Sequence, residues 1–174
     1  SLHMGCVSCR DMFFPGGIIT RSNFDRAVMY ASRELLNIKR RYTKKSWKSC
    51  VGSSGSIKAV FQALSKDDSL PEKITFNDLE EFKETLIELG DVEKLIDFGV
   101  KKDRLNIFPA GFAILYASFK QLSIAEMEYT SGALREGLLY DVVGRIAHED
   151  VRDRTIAAMQ QRYSVETEQS DFVR

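Results

Sequence analysis

Val51-Gly52-Ser53-Ser54-Gly55-Ser56 is the segment of this chain whose residue types could hold an anion. Glycines let main-chain N–H groups turn inward without Cβ interference. Serine hydroxyls add donors, and a helix beginning near Ser54 would aim its positive dipole end at the bound group. Phosphate suits that combination. An ordinary turn is the plainer reading of a short Gly/Ser loop, and on these residues alone both stand. The densest positive run, Lys39, Arg40, Arg41, Lys44, Lys45 and Lys48, arrives just before the loop. It reads either as an electrostatic funnel for a polyanion or, more commonly, as a solvated helix C-terminus that complements its own dipole.

Other chemistry-bearing residues are sparse. Three cysteines do not make a disulfide framework, and Cys6-Val7-Ser8-Cys9 lacks a second ligand pair. The expectation is a strand in which Cys6 and Cys9, an odd number of residues apart, point to opposite faces, which argues against a metal or redox site. His148 and Asp150 have the wrong spacing for a histidine-aspartate metal pair, and a histidine before a charged helix reads as a surface residue. Ser1-Leu2-His3 reads as a cloning remnant ahead of Met4, so His3 carries no functional weight.

At 174 residues, 44% hydrophobic and 29% charged, the chain has enough apolar content for one well-buried domain with a smaller helical appendage. Lysine plus arginine and aspartate plus glutamate balance at 25 each. Bulk positive charge therefore does not attract nucleic acid or a membrane surface, and any anion recognition must be local. No apolar run approaches the ~20 residues that span a bilayer, and no signal-peptide layout opens the chain, so the expected location is the cytoplasm.

The elements that would position the loop follow from periodicity. Residues 6–14 suit a strand ending at Pro15-Gly16-Gly17. Ser22 with Asp25 resembles a capping box, after which Phe24, Val28, Ala31, Leu35 and Ile38 form one apolar helical stripe. Trp47 to Val51 reads as a second strand, and Ile57, Val60, Phe61 and Leu64 as the buried stripe of the helix after the loop. A polar spacer, Ser65 to Lys73, leads to an S/T-x-x-D start at Thr75 and Asp78; its helix carries Leu79, Phe82, Leu86 and Leu89 and stops at Gly90. A shorter helix over 91–98 ends at Gly99. Ile107-Phe108-Pro109-Ala110-Gly111 enters an apolar helix through Leu122, Glu126 to Thr130 reads as a third strand, and Ser131-Gly132 opens another helix. From Glu149 onward the pattern is a charged amphipathic helix with Val151, Ile156 and Met159 inward. Few strands, many helices and glycine-marked strand-to-helix turns indicate the α/β class.

Five segments together resemble one family in order and spacing: Phe14-Pro15-Gly16-Gly17; Val51 through Ala59; Phe108-Pro109-Ala110-Gly111-Phe112-Ala113-Ile114-Leu115; Gly132 through Asp141; and His148 through Thr155. They look like the second domain of the exopolyphosphatase and guanosine pentaphosphate phosphohydrolase (Ppx/GppA) family. Ser56 stands where the family usually has threonine, which keeps the hydroxyl. The resemblance implies an α/β, actin-like (ribonuclease H-like) domain fragment with a few-stranded sheet and many helices, covering residues 4–145. Residues 146–174 would be a helical linker toward a further domain.

In such enzymes, the resemblance implies, Mg2+ and a carboxylate base direct water at a terminal phosphorus. The implied activity is release of orthophosphate from inorganic polyphosphate, with guanosine pentaphosphate as the alternative substrate. A module of another class would bind polyphosphate or alarmone without hydrolysis. By resemblance, Gly52, Ser53, Ser54, Gly55 and Ser56 face the substrate phosphates and Arg104 helps hold them; a solvated loop arginine is the competing reading of Arg104. Arg135 and Glu136 are expected to point apart and to act structurally. No catalytic residue and no metal ligand is assigned here, because the family's glutamate base, its first domain and its aspartate-glycine-rich turn belong upstream of Gly5. The fragment alone is therefore expected to be inactive, and a homodimer, with strand exchange completing the sheet, is the expected assembly.

Overall fold

A computed structural model describes residues 2–42, 47–65, 69–132 and 134–146. The chain divides into two compact units, Ser1–Ser131 and Gly132–Arg174. In the first, helix α1 (Cys6–Phe13), a 3-10 turn (Pro15–Gly17) and helix α2 (Arg21–Lys39) lead through strand β1 (Val51–Gly52) into helix α3 (Gly55–Ala63). Strand β2 (Lys73–Thr75), helix α4 (Phe76–Leu89), 3-10 helices Val92–Phe98 and Lys102–Ile107, helix α5 (Phe108–Leu122) and strand β3 (Glu126–Tyr129) complete it. In the second unit α6 spans Leu134–Ile146. The expectations for Glu149 onward, with His148 and Asp150, lie outside the described residues, as do Lys44 and Lys45.

The sheet is small and mixed, in the order β1-β3-β2. β3 runs parallel to β1, with Val51 opposite Glu128, and antiparallel to β2, with Ile74 opposite Met127. β2 falls in the stretch expected to be a spacer and a cap. Its one buried apolar residue, Ile74, gives no alternation to read, and pairing with β3 rather than propensity makes it a strand. β1 is shorter than the expected 47–51 strand: only Val51 and Gly52 pair.

Residues 6–14 are not a strand. Cys6, Cys9, Arg10, Phe13 and Phe14 are the wholly or partly buried positions of the segment, a spacing of three and four, and the burial follows a helix that starts from the extended Gly5. Cys6 and Cys9 consequently share a face instead of pointing apart. The start of α2 also differs from expectation. Thr20 caps it, its Oγ1 accepting from the Asn23 N–H at 3.1 Å, two residues before the expected Ser22. Elsewhere the signals hold. Thr75 and Asp78 form a reciprocal capping box on α4, which ends at a left-handed Gly90 (φ +70°).

α5 is the centre of the core: ten of its fifteen residues are buried. α2 packs along it more extensively than any other pair of elements packs. Phe112 sits fully buried among Phe24, Phe82 and Phe108, at ring-centroid distances of 5.8, 5.4 and 6.1 Å. Gly17, with φ +77°, lets the chain pass where a Cβ would meet Val92 Cγ2 at 2.6 Å. No described helix is long and apolar enough to cross a membrane.

Polar clamps close the edges of this core. Arg21 forks onto Glu84, joining the start of α2 to α4, and with Lys83 it holds the Glu84 carboxyl at about 2. The buried Tyr116 ring of α5 donates its O–H to Glu80 of α4, and the Lys83 ammonium lies 5.4 Å from the ring centroid. Burial and the Glu80 hydrogen bond push the phenol from 10.0 up to about 12. The fold thus favours the neutral phenol, so its stabilisation is complete below the unfolded value of 10.0 and is lost as pH rises to about 12. The melting temperature of the native protein should fall over that window more steeply than that of Tyr116→Phe. Parallel curves would remove the Tyr116–Glu80 contact from the stability of the fold.

Candidate functional site

The loop after β1 is fixed at both ends. The Glu128 N–H donates to the Cys50 carbonyl and the Thr130 N–H to the Gly52 carbonyl, each at 3.0 Å, holding the loop's base against β3. Gly52 is buried there. A Cβ on it would lie 2.6 Å from Met127 Sδ and 2.8 Å from Ile57 Cγ2, so the residue serves close packing rather than ligand contact. Ser54 caps α3, its Oγ accepting from the Ile57 N–H at 3.1 Å, and the Lys58 N–H closes on the Ser54 carbonyl. The N–H groups of Gly55 and Ser56 precede the first intrahelical donor, the Lys58 N–H, and have no partner among the described residues.

Arg104 meets this helix end from the 3-10 helix Lys102–Ile107. A Cβ on Gly55 would stand 2.9 Å from Arg104 Cζ and from both of its terminal nitrogens. The guanidinium therefore lies directly over the first turn of α3. Its ion pair is with the adjacent Asp103, at 3.5 Å through Nε. A cation and a helix N-terminus carry the same sign, so their apposition is unfavourable until an anion sits between or beside them. Ser53, Ser54 and Gly55 are exposed next to that point.

The six candidate residues thus divide. Ser53, Ser54, Gly55 and Arg104 share an exposed face, Gly52 packs beneath it, and Ser56 turns toward α5. A Cβ on Gly111 would come 3.1 Å from Ser56 Cβ and 3.3 Å from its Oγ, so Gly111 supplies the flat surface on which Ser56 rests. Gly111 belongs to the Phe108–Leu115 motif, but nothing in its spacing indicates what it packs against. Lys39 of the basic run bonds Gln121 on α5 at 3.3 Å. In the second unit, Arg135 and Glu136 bond each other at 3.2 Å rather than pointing apart. Among the described residues no group of three His, Cys, Asp or Glu side chains is placed to hold a metal ion.

The model of the Ppx/GppA phosphatase family matches residues 1–146. The chain belongs to that family. Solved structures agree on the fold, which is actin-like and ribonuclease H-like: the Aquifex aeolicus Ppx/GppA family member is 20% identical with a TM-score of 0.69 over 81% of this chain and 47% of its own. An exopolyphosphatase-like protein is 13% identical with a TM-score of 0.72, over 83% and 50%. The type II variant of the Aquifex Ppx/GppA phosphatase gives 20%, 0.67, 79% and 47%. This family member spans about half the length of the solved structures it matches.

Proposed function

We propose that this chain is the substrate-binding half of a phosphoanhydride hydrolase that releases orthophosphate from the end of inorganic polyphosphate. Family membership supports a phosphatase. The apposition of Arg104 with the uncapped N–H groups at the start of α3 supports a phosphate chain as the ligand, because two positive groups converge on one exposed point. In this reading the loop and Arg104 orient the chain and neutralise part of its charge. Magnesium would neutralise further charge and help direct water at the terminal phosphorus, with its ligands mostly outside this chain. The chain alone binds and does not turn substrate over.

Phosphate release with magnesium, measured on a protein of the relatives' full length, tests the reading with polyphosphate and guanosine pentaphosphate side by side. A kcat/KM preference for polyphosphate is the expected result. Preference for the nucleotide would reassign the substrate, and turnover of neither would leave a binding module. On the chain itself, Arg104→Ala should weaken polyphosphate binding roughly tenfold to a hundredfold, the worth of one charged hydrogen-bonding group. Unchanged affinity would return Arg104 to the class of solvated loop arginines.

A further inference from the structure

α1 places the two N-terminal cysteines one helical turn apart. Cys6 is its first residue and is half-buried; Cys9 is fully buried; both are free thiols. Neighbours three apart on a helix have Cβ atoms about 5–6 Å apart. A disulfide needs about 3.5–4.5 Å between Cβ atoms and accepts Cα separations of about 4.4–6.8 Å. The first turn must tighten by roughly 1–2 Å to close one. It has room to do so: the turn is closed by the Cys9 N–H on the Gly5 carbonyl at 2.9 Å, and Gly5 stands in open space, with nothing within 4 Å of where its Cβ would be.

We infer that Cys6 and Cys9 form a redox-active dithiol, with a low-molecular-weight disulfide as its oxidant and an intrahelical Cys6–Cys9 disulfide as its product. Access divides the roles. The Cys6 thiolate attacks one sulfur of the small disulfide; that S–S bond breaks, a thiolate leaves, and a mixed disulfide forms on Cys6. Cys9 then attacks the Cys6 sulfur and expels the second thiolate, which takes up the Cys9 proton. Two protein thiols are oxidised and one small disulfide is reduced to two thiols. Burial, and secondarily the neighbouring Cys6, push the Cys9 thiol up, which suits the resolving position rather than the attacking one.

The site also borders the loop. The Cys6 Cβ is 3.9 Å from the position a Gly111 Cβ would take, the same spot on α5 that Ser56 covers. The inference does not depend on the phosphatase reading, because its chemistry uses only α1.

The test is peptide mapping of the folded wild-type chain after incubation with oxidised glutathione. Trypsin cutting after Arg10 isolates Cys6 and Cys9 from Cys50, since no other lysine or arginine precedes Arg10. The expected product is that peptide lighter by two hydrogens, restored by dithiothreitol. Cys9→Ala, checked for native circular dichroism, should instead accumulate one glutathione on Cys6. The inference is overturned if the wild-type peptide stays a dithiol, or if it keeps glutathione on Cys6 without passing to the internal disulfide. The wild-type result decides even if Cys9→Ala does not fold.

Discussion

Phe112→Ala should lower the stability of this domain by about 3–5 kcal/mol, the usual loss when a fully buried ring is truncated. The ring is fully buried and touches Phe24 of α2, Phe82 of α4 and Phe108 of α5 itself, so it joins three helices at one point. No single neighbour can relax into the vacancy without leaving another contact. Against the ~5–15 kcal/mol typical of whole domains, such a loss brings the protein close to unfolding at room temperature. Urea titration followed by far-UV circular dichroism measures it, with Phe112→Leu as the milder companion. A drop below about 1 kcal/mol would mean that the aromatic cluster does not bind the helices together.

Gly55→Val should weaken polyphosphate binding as much as Arg104→Ala does while leaving the fold intact. Residue 55 opens α3 and is exposed, so the new side chain meets no core. What it does meet is the Arg104 guanidinium, only 2.9 Å from the new Cβ. The guanidinium must swing away and the valine methyls cover the free N–H groups, so roughly tenfold or more in affinity is lost. Because both substitutions remove one shared contact, the double variant should be little worse than either single one. Isothermal titration on the three variants checks this. Full additivity would separate the loop from Arg104, and unchanged affinity in Gly55→Val would take the loop out of the site.

Much of this arrangement was readable from local signals. The glycine-serine loop does open a helix at Ser54, and the Thr75 box, the apolar run of α5 and the β3 strand stand where their residues put them. These are features a few neighbouring residues decide. α1 was misread because Cys-Val and Met-Phe-Phe look extended, whereas burial at 6, 9, 10 and 13 is decided by packing against α5 and its neighbours. β2 was invisible because a three-residue strand exists only through its partner. The meeting of Arg104 with Gly55 is tertiary. Composition explains Gly55 as a residue that exposes N–H groups; the structure adds that any side chain there would strike a guanidinium from a distant part of the chain.

The position of α5 late in the first unit bears on how the protein is made. α1, α2, α3 and α4 all pack on a helix that begins at Phe108, so on the ribosome they emerge before the surface that buries them exists. Phe24, Phe61 and Phe82 then remain solvent-exposed on a nascent chain until that helix clears the exit tunnel. Synthesis of this domain therefore passes through a window in which Phe24 lacks Phe112 and Tyr116, and Phe82 lacks Phe108 and Phe112. Exposure of those rings during translation is the cost of placing the central helix late in the unit.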